Sequence, residues 1–205
     1  MQPTLILDPQ DPGALPHALQ ALQAGEAVAF PTDTVYGLGA ALTDPQAIDR
    51  LYEIKGRDSA KAIAVLLDSP QAISLVAGEL AALPARLAER FWPGPLTLVV
   101  PQRPGLPANL SPLPTVGVRM PDHPLALALL SLSGPLAVTS ANLSGAPNTV
   151  TAQDVFAQLG GRIPCILDGG RTPGGLPSTV VDCTGSEPKI LRPGPITLDD
   201  LINAL

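Results

Sequence analysis

The chain has 205 residues, of which 45% are apolar and 3% aromatic, and its formal net charge is −6. This length predicts one domain with an aliphatic core, and the negative charge argues against strong, sequence-independent nucleic-acid binding, which needs a basic surface. Every apolar run is shorter than the roughly 20 residues of a membrane span, and residues 1–4 lack the basic start and apolar core of a secretory signal. We therefore expect a cytoplasmic protein with no membrane contact.

Hydrophobic periodicity and turn residues divide the chain into short strands and helices. Strands are predicted at residues 5–7, 27–30, 62–67, 96–100, 116–119, 136–139, 165–167, 179–182 and 190–191. Helices are predicted at residues 12–24, 45–55, 71–78, 84–91, 124–132 and 152–159, with a last helix starting at residue 198. Because these elements mix without strict βαβ alternation, the predicted fold class is α/β (α+β), with a mixed parallel and antiparallel twisted sheet and helices packed on it.

Residues 31–40, which read PTDTVYGLGA, include a turn that is dense in small polar side chains. Thr32, Asp33 and Thr34 place three side-chain oxygens at the end of a predicted strand. Gly37 and Gly39 would let backbone or ligand approach closely. Two interpretations stay open: a ligand-binding turn, or a capped turn between two strands.

Lys55 and Arg57 flank Gly56 and are the next candidates. In an extended segment, residues two apart face the same side, so the two cations would converge on a shared anion such as phosphate. The alternative is a solvated helix C-terminus, where cations are favoured in any case.

Polar residues also follow two later strands. Ser140 and Asn142 are two apart and could point into one cavity, or they could simply cap a strand-to-helix turn. Arg119 ends an apolar strand and needs a carboxylate partner, which could be a ligand or a structural acid such as Asp122.

The remaining polar and sulfur-containing residues suggest little chemistry. Residues 92–95, which read WPGP, are interpreted as a structural turn. Cys165 and Cys183 lie in apolar runs and are predicted to be buried free thiols. The sequence has no Ser-His-Asp set and no cluster with metal-ligand spacing, so any Mg²⁺ would be held mainly by substrate phosphates and water.

Six segments in a fixed order carry a resemblance that covers residues 5–197. They are PTDTVYGLGA at 31–40, KGR at 55–57, WPGPLT at 92–97, VRMP at 118–121, TSANLSG at 139–145 and PSTV at 177–180. This series resembles the YrdC-like family. The resemblance implies the YrdC-like fold, with a single domain over residues 1–205 and no additional C-terminal domain.

The family's chemistry implies a nucleotidyltransferase that makes L-threonylcarbamoyl-AMP and pyrophosphate from L-threonine, bicarbonate or CO₂, and ATP. The threonine amine would capture CO₂ as a carbamate, and a carbamate oxygen would attack the α-phosphate. The product would pass to a complex that modifies adenosine in tRNA, and tRNA itself would bind this chain weakly at most. Alternatives are a non-catalytic RNA-binding paralogue and a carbamoyl-transfer module.

The resemblance also implies roles for individual residues. The expected catalytic residues are Lys55, Arg57, Ser140 and Asn142. The same four, together with Arg192, are expected to bind the nucleotide. The expected threonine-binding residues are Thr34, Arg119, Thr139 and Ser178. No protein metal ligand is expected, and Mg²⁺ would accompany ATP.

The segment after Arg57 departs from the family pattern. Asp58 stands where Pro is common, Lys61 where Asn is common, and Leu66 where a His often lies in the next strand. Leu66 removes a possible polar contact to the amino acid, so these departures bear on how threonine is recognised.

Overall fold

The structure is a computed structural model that describes residues 3–205, and its strands form one mixed sheet. The strands are β1 (Leu5–Leu7), β2 (Val28–Phe30), β3 (Gly37–Ala41), β4 (Ala64–Leu66), β5 (Leu96–Pro101), β6 (Thr115–Arg119), β7 (Leu136–Ser140), β8 (Cys165–Leu167), β9 (Thr179–Asp182) and β10 (Lys189–Arg192). The helices are α1 (Ala14–Gln23), α2 (Pro45–Lys55), α3 (Ala82–Phe91), α4 (Pro124–Ser133), α5 (Ala152–Leu159) and α6 (Leu198–Asn203), with a 3-10 helix at Pro70–Leu75.

The strand order across the sheet is β1-β8-β2-β3-β7-β4-β6-β5-β9-β10. The pairs β1–β8, β8–β2, β4–β6 and β5–β9 are parallel, and the other neighbours are antiparallel. This mixture confirms the predicted fold class. Strands far apart in the chain become neighbours, so loops at the strand ends can meet.

Helices cover both faces of the sheet because side chains alternate between the faces along each strand. On one face, Phe30 and Val138 join the buried residues of α1 and α4. On the other face, Ala29 and Ala137 pack with residues of α2, α3 and α5. The two layers are mostly aliphatic, as the low aromatic content predicts.

Local sequence signals set several helix ends. Asp44 caps α2 by accepting hydrogen bonds from the amides of Gln46 and Ala47, and Gly56 ends the helix in the left-handed region. Thr151 and Thr197 each form a capping box, at the start of α5 and of α6 respectively.

The strand β3 is the main element missing from the prediction, because glycine is depleted in strands. Packing explains its glycines. A Cβ on Gly39 would lie 2.8 Å from the Phe30 ring, and one on Gly37 would lie 2.9 Å from a Val138 methyl group. The backbone therefore fits between β2 and β7 only without these side chains.

Smaller differences concern one helix and element boundaries. The helix predicted at residues 71–78 is a 3-10 helix at Pro70–Leu75 that has no buried residue and so no face to anchor a longer helix.

Cys165 and Cys183 are buried free thiols, as predicted. Within residues 3–205, none of the helices has the length and apolar character needed to cross a membrane.

Candidate functional site

A cavity of about 230 Å³ lies over the central strands, on the sheet face that carries α1 and α4. Strand residues two apart line it, such as Ala64 with Leu66 and Gly117 with Arg119, because they share that face. Small residues in these strands leave room above the sheet. The polar side chains in the lining are Thr32, Thr34, Tyr36, Arg57, Thr97, Arg119, Thr139, Ser140, Ser178 and Arg192.

Seven of the nine residues predicted to bind substrates line this one cavity. They are Thr34, Arg57, Arg119, Thr139, Ser140, Ser178 and Arg192. Lys55 and Asn142 are buried outside the lining, which corrects the expectation that they point into the cavity. The structure thus brings together residues from six separate stretches of the sequence.

Arg119, at the end of β6, is held on three sides. Its Nε donates to the Gly94 carbonyl oxygen at 2.9 Å, its Nη1 donates to Thr34 Oγ1 at 3.0 Å, and its Nη2 forms an ion pair with Asp33. The suggested partner Asp122 was wrong, since its backbone amide donates to the same Asp33 oxygen at 3.1 Å. The Arg119 and Asp33 side chains are 7% and 12% exposed, so this is a buried pair.

The turn at Thr32–Thr34 is both capped and part of the cavity wall. Thr32 Oγ1 donates to the Val35 carbonyl oxygen at 2.6 Å, and the Thr32 and Thr34 hydroxyl oxygens are 3.0 Å apart. Because Thr32 has used its only hydrogen, Thr34 donates to Thr32 and accepts from Arg119. Thr34 keeps one lone pair for a donor on a ligand, so the two open interpretations of this turn are compatible.

Ser178 lies between a hydroxyl group and a guanidinium group. Its Oγ is 2.8 Å from Thr97 Oγ1 and accepts from Arg192 Nη2 at 3.1 Å. Arg192 also donates to the Ser178 carbonyl oxygen, from Nε at 3.2 Å and from Nη2 at 2.8 Å. One of the two hydroxyl hydrogens forms the hydrogen bond between Thr97 and Ser178, so the second hydroxyl hydrogen remains available to a ligand.

Lys55 and Arg57 diverge, because the chain between them is not extended. Lys55 is the last residue of α2, and Gly56 adopts φ 58°, so the predicted extended arrangement was wrong. The segment is a helix C-terminus, as in the alternative, but Lys55 is not solvated there. Arg57 lines the cavity and donates to the Ala62 carbonyl oxygen at 3.1 Å, while its Nε is buried without an acceptor in the described structure. Lys55 instead turns inward and is 3% exposed.

The Asn142 side chain forms hydrogen bonds within its own turn and with Lys55. Its Nδ2 donates to the carbonyl oxygens of Leu143 at 3.0 Å and Ala146 at 2.8 Å, and its Oδ1 accepts from Lys55 Nζ at 3.3 Å. Ser140, the last residue of β7, lines the cavity. The spacing of two residues therefore places only Ser140 on the cavity side.

Three guanidinium groups make the cavity strongly positive. Burial lowers the pKa of Arg192, and the nearby charges of Arg119 and Arg57 lower it further. Burial also lowers the pKa of Arg119, although Asp33 opposes that shift. Within residues 3–205, only Arg119 of the three forms an ion pair, so Arg57 and Arg192 are available to an anion.

The residues that depart from the family pattern occupy different environments. Leu66 lines the cavity and is 4% exposed, so an apolar surface stands where a histidine is common. Asp58 is exposed and accepts from the Ala60 amide at 2.9 Å.

Three contributions to the site were missed from the sequence. Asp33 pairs with Arg119, Gly94 of the structural turn accepts from Arg119, and Thr97 pairs with Ser178. A further contact holds the glycine-rich loop after β8, since the Tyr36 hydroxyl donates to the Gly170 carbonyl oxygen at 2.7 Å. Asp33 had a signal in its position between two threonines, and Gly94 and Thr97 lie in the WPGPLT segment, whose residues 92–95 were interpreted only as a structural turn.

The fold of this chain is that of a known family. Residues 20–194 match the model of the Sua5_yciO_yrdC family, whose description reads "Telomere recombination". The chain belongs to this family, which confirms the resemblance seen in the sequence.

Two curated relatives are named threonylcarbamoyl-AMP synthase. The chain is 44% identical to the protein from Pyrococcus abyssi over 182 residues, which cover 88% of this chain and 54% of that protein. It is also 44% identical to the protein from Bacillus subtilis over 197 residues, covering 95% of this chain and 56% of that protein. The chain therefore spans little more than half the length of these relatives.

A solved structure of Pyrococcus abyssi Sua5 complexed with L-threonine has the same fold. Its TM-score is 0.93 at 40% sequence identity, with 98% of this chain and 60% of that chain covered. The mixed sheet with its helices is thus the fold of this family.

Proposed function

We propose that this chain is an L-threonylcarbamoyladenylate synthase, a nucleotidyltransferase that uses L-threonine, bicarbonate or CO₂, and ATP. The observation that carries the proposal is a single cavity that combines a buried arginine, paired with Asp33, with two arginines that have no carboxylate partner among residues 3–205. The first arrangement suits an amino acid and the second suits phosphates. The relatives named threonylcarbamoyl-AMP synthase, and the threonine complex of one of them, support the same choice.

The amino-acid end of the cavity is formed by Thr34, Arg119, Thr139 and Ser178. Arg119 uses three of its five N–H donors on the protein, so two remain for a carboxylate. The hydroxyl hydrogen left by the Thr97–Ser178 pair is a further donor. Thr34 offers an acceptor to an amine or a hydroxyl group, so this end has both kinds of partner that threonine needs.

The phosphate end is formed by Arg57, Arg192 and Ser140. The buried Nε of Arg57 has no acceptor among the described residues, and a phosphate oxygen would provide one. Guanidinium groups match phosphate oxygens in charge and in geometry. The proposed nucleotide therefore places its phosphates beside the two arginines that have no carboxylate partner.

The reaction needs no nucleophile from the protein. The threonine nitrogen forms a bond to the carbon of CO₂ and loses a proton, which gives a carbamate. A carbamate oxygen then forms a bond to the α-phosphorus, and the bond from that phosphorus to the bridging oxygen breaks as pyrophosphate leaves. The protein contributes by holding the reactants close together and by neutralising charge on the phosphates.

Mg²⁺ enters the proposal only as part of the ATP substrate. Within residues 3–205, no group of three or more His, Cys, Asp or Glu side chains could hold a metal ion. Asp33, the carboxylate beside the amino-acid end, is already paired with Arg119. The phosphates and water would supply the ligands, and no step of the reaction is assigned to the ion.

Cytoplasmic residence and a downstream tRNA threonylcarbamoyl-transfer complex belong to the same proposal. Because the net charge is −6, we propose that tRNA binds this chain weakly and in a salt-dependent way. An RNA-binding paralogue and a carbamoyl-transfer module are the competing outcomes.

The test is pyrophosphate release from ATP, measured with and without threonine and bicarbonate. We expect release only when both are present, because neither alone forms the attacking carbamate. Serine and alanine in place of threonine serve as controls for the amino acid. Equal release without threonine would contradict the proposal, and tight, salt-insensitive tRNA binding would favour the RNA-binding alternative.

A further inference from the structure

Lys55 is a buried cation that lies just outside the cavity. Its Nζ donates to the carbonyl oxygens of Ser140 and Asn142, and to Asn142 Oδ1 at 3.3 Å. Its own carbonyl oxygen accepts from the Ser144 amide at 2.8 Å. An ammonium group has three N–H donors, so these three oxygens account for all of them.

The oxygens around Lys55 belong to Ser140, the last residue of β7, and to Asn142 in the turn that follows. Asn142 extends the network across this turn, because its Nδ2 donates to Leu143 and Ala146. Gly145 takes φ 83° in the same turn, a conformation that favours glycine. The side chain of Lys55 thus fixes the segment whose first residue, Ser140, lines the cavity.

Direct contact between Lys55 and a ligand is hard to reconcile with this geometry. A phosphate could reach Nζ only if one of the three oxygens were released, and the side chain is 3% exposed. Arg57, two residues later, lines the cavity and has a buried Nε without an acceptor. The two cations of the KGR segment therefore have different surroundings.

We propose that Lys55 is a positioning residue, which holds the turn at residues 140–146 so that Ser140 faces the phosphates that Arg57 contacts. This inference rests on the proposed function. It assigns different roles to Lys55 and Arg57, which the sequence predicted to bind one anion together. Burial and the charge of Arg57 lower the pKa of Lys55 to about 8, so the buried charge is held at a net free-energy cost.

The experiment compares Lys55→Met with Arg57→Met in ATP binding over a range of KCl concentrations. A cation that contacts phosphate contributes an attraction that salt screens. Arg57→Met should therefore weaken binding and flatten its salt dependence. Lys55→Met should weaken binding but leave the salt dependence unchanged, and it should raise amide hydrogen exchange in residues 140–146.

Pyrophosphate release adds a second readout for the same variants. Lys55→Met should lower kcat/KM by roughly 10- to 100-fold, because a displacement of about 1 Å near the reacting groups can cost about 100-fold in rate. Asn142→Ala removes an acceptor of Lys55 without changing any charge, and it should reproduce the Lys55→Met pattern. It also keeps the inference testable if Lys55→Met does not fold.

The outcomes separate this inference from the proposed function. A flattened salt dependence in Lys55→Met, with unchanged exchange in residues 140–146, would overturn the positioning role and assign Lys55 to the phosphates. So would normal ATP affinity in Asn142→Ala. If the wild-type chain releases no pyrophosphate with threonine and bicarbonate, the proposed function fails, whatever the variants do.

Discussion

The two ends of the cavity hold arginines in opposite ways. At the amino-acid end, Arg119 is 5% exposed, ion-paired with Asp33 and bonded to Gly94 and Thr34. At the phosphate end, within the part of the chain that the structure describes, Arg57 makes one hydrogen bond to a backbone carbonyl group, and Arg192 bonds only to Ser178. At the first end, the arginine is held by three contacts and its charge is compensated by Asp33, whereas the second end is left positive.

This difference indicates how one small cavity could bind the two proposed substrates. A compensated arginine can orient a carboxylate through its remaining N–H groups without adding net charge. Arginines that lack a carboxylate partner attract phosphate and can neutralise charge that develops during the reaction. Mutations at the two ends should therefore separate stability from activity.

The largest expected effect is on stability at the compensated end. Arg119→Met leaves the Asp33 carboxylate buried and unpaired, and breaking a buried ion pair typically costs about 3–5 kcal/mol. Denaturant unfolding of the variant measures this loss. The control is Arg50→Met in the exposed Arg50–Glu26 pair, whose side chains are 41% and 44% exposed, where the ion pair itself should contribute at most about 1 kcal/mol. Equal losses in the free energy of unfolding for Arg119→Met and Arg50→Met would contradict the claim that the buried Arg119–Asp33 pair stabilises the amino-acid end.

The next effect is on activity at the positive end. Arg57→Gln should raise the barrier to pyrophosphate release by about 1.5–3 kcal/mol, the value of a hydrogen bond to a charged group, with little change in melting temperature. Arg162→Gln is the matched control, because Arg162 also donates to one backbone carbonyl, at 3.2 Å, and lies outside the cavity lining. A lower melting temperature with normal turnover would make Arg57 structural.

A smaller effect is expected from Ser178→Ala. The variant loses a hydroxyl group at the amino-acid end, so threonine KM should rise by the equivalent of about 0.5–1.5 kcal/mol. ATP affinity should hold, because the Ser178 carbonyl oxygen still accepts from Arg192. Ser111→Ala removes a buried serine hydroxyl outside the lining and serves as the control. A larger effect on ATP affinity than on threonine KM would assign Ser178 to the phosphate end.

The smallest effect is a pH dependence of ATP binding that arises from Lys55. Its pKa of about 8 in the folded protein means that the ammonium loses a proton as the pH rises through 8. The amine then has two donors for three oxygens, so ATP affinity should fall a few-fold between pH 7 and 9. Lys55→Met should lack this change, and an identical pH profile in the variant would contradict the assignment.

The expected loss of ATP affinity between pH 8 and 9 does not arise from a loss of folding stability caused by Lys55. The pKa of Lys55 is lower in the folded chain than its ordinary 10.5, so the unfolded chain binds more protons above pH 8 and this group makes folding more favourable as the pH rises. Burial raises the pKa of Cys165 and Cys183 to about 12 from 9.0. Those thiols act in the opposite direction, but only above about pH 9.

Local patterns in the sequence predicted most of the fold. Helical spacing of apolar residues and the apolar runs of the strands are short-range signals, and most of the elements they predict are present. The strand β3 was missed because its glycines have no strand propensity of their own. Their reason lies in Phe30 and Val138, which reach them only in the folded sheet.

The composition of the site was predicted better than its contacts. Arg119 and Asp33 are 86 residues apart, and only the strand order brings them together, so the nearer Asp122 was suggested instead. Lys55 was placed beside Arg57 because spacing suggested it, yet the left-handed Gly56 separates the two side chains. Contacts that depend on long-range closure of the sheet had no local signal.

The most direct test of the account is the fate of labelled bicarbonate in a reaction with ATP and threonine. Mass spectrometry of the product should find the ¹³C label in threonylcarbamoyl-AMP, with one pyrophosphate released for each adenylate formed. The label should be absent when threonine is omitted, and Arg57→Gln should slow its incorporation without changing the product. Pyrophosphate release with threonine and bicarbonate present, but with no label in any adenylate, would contradict the proposal that both ends of the cavity serve one reaction.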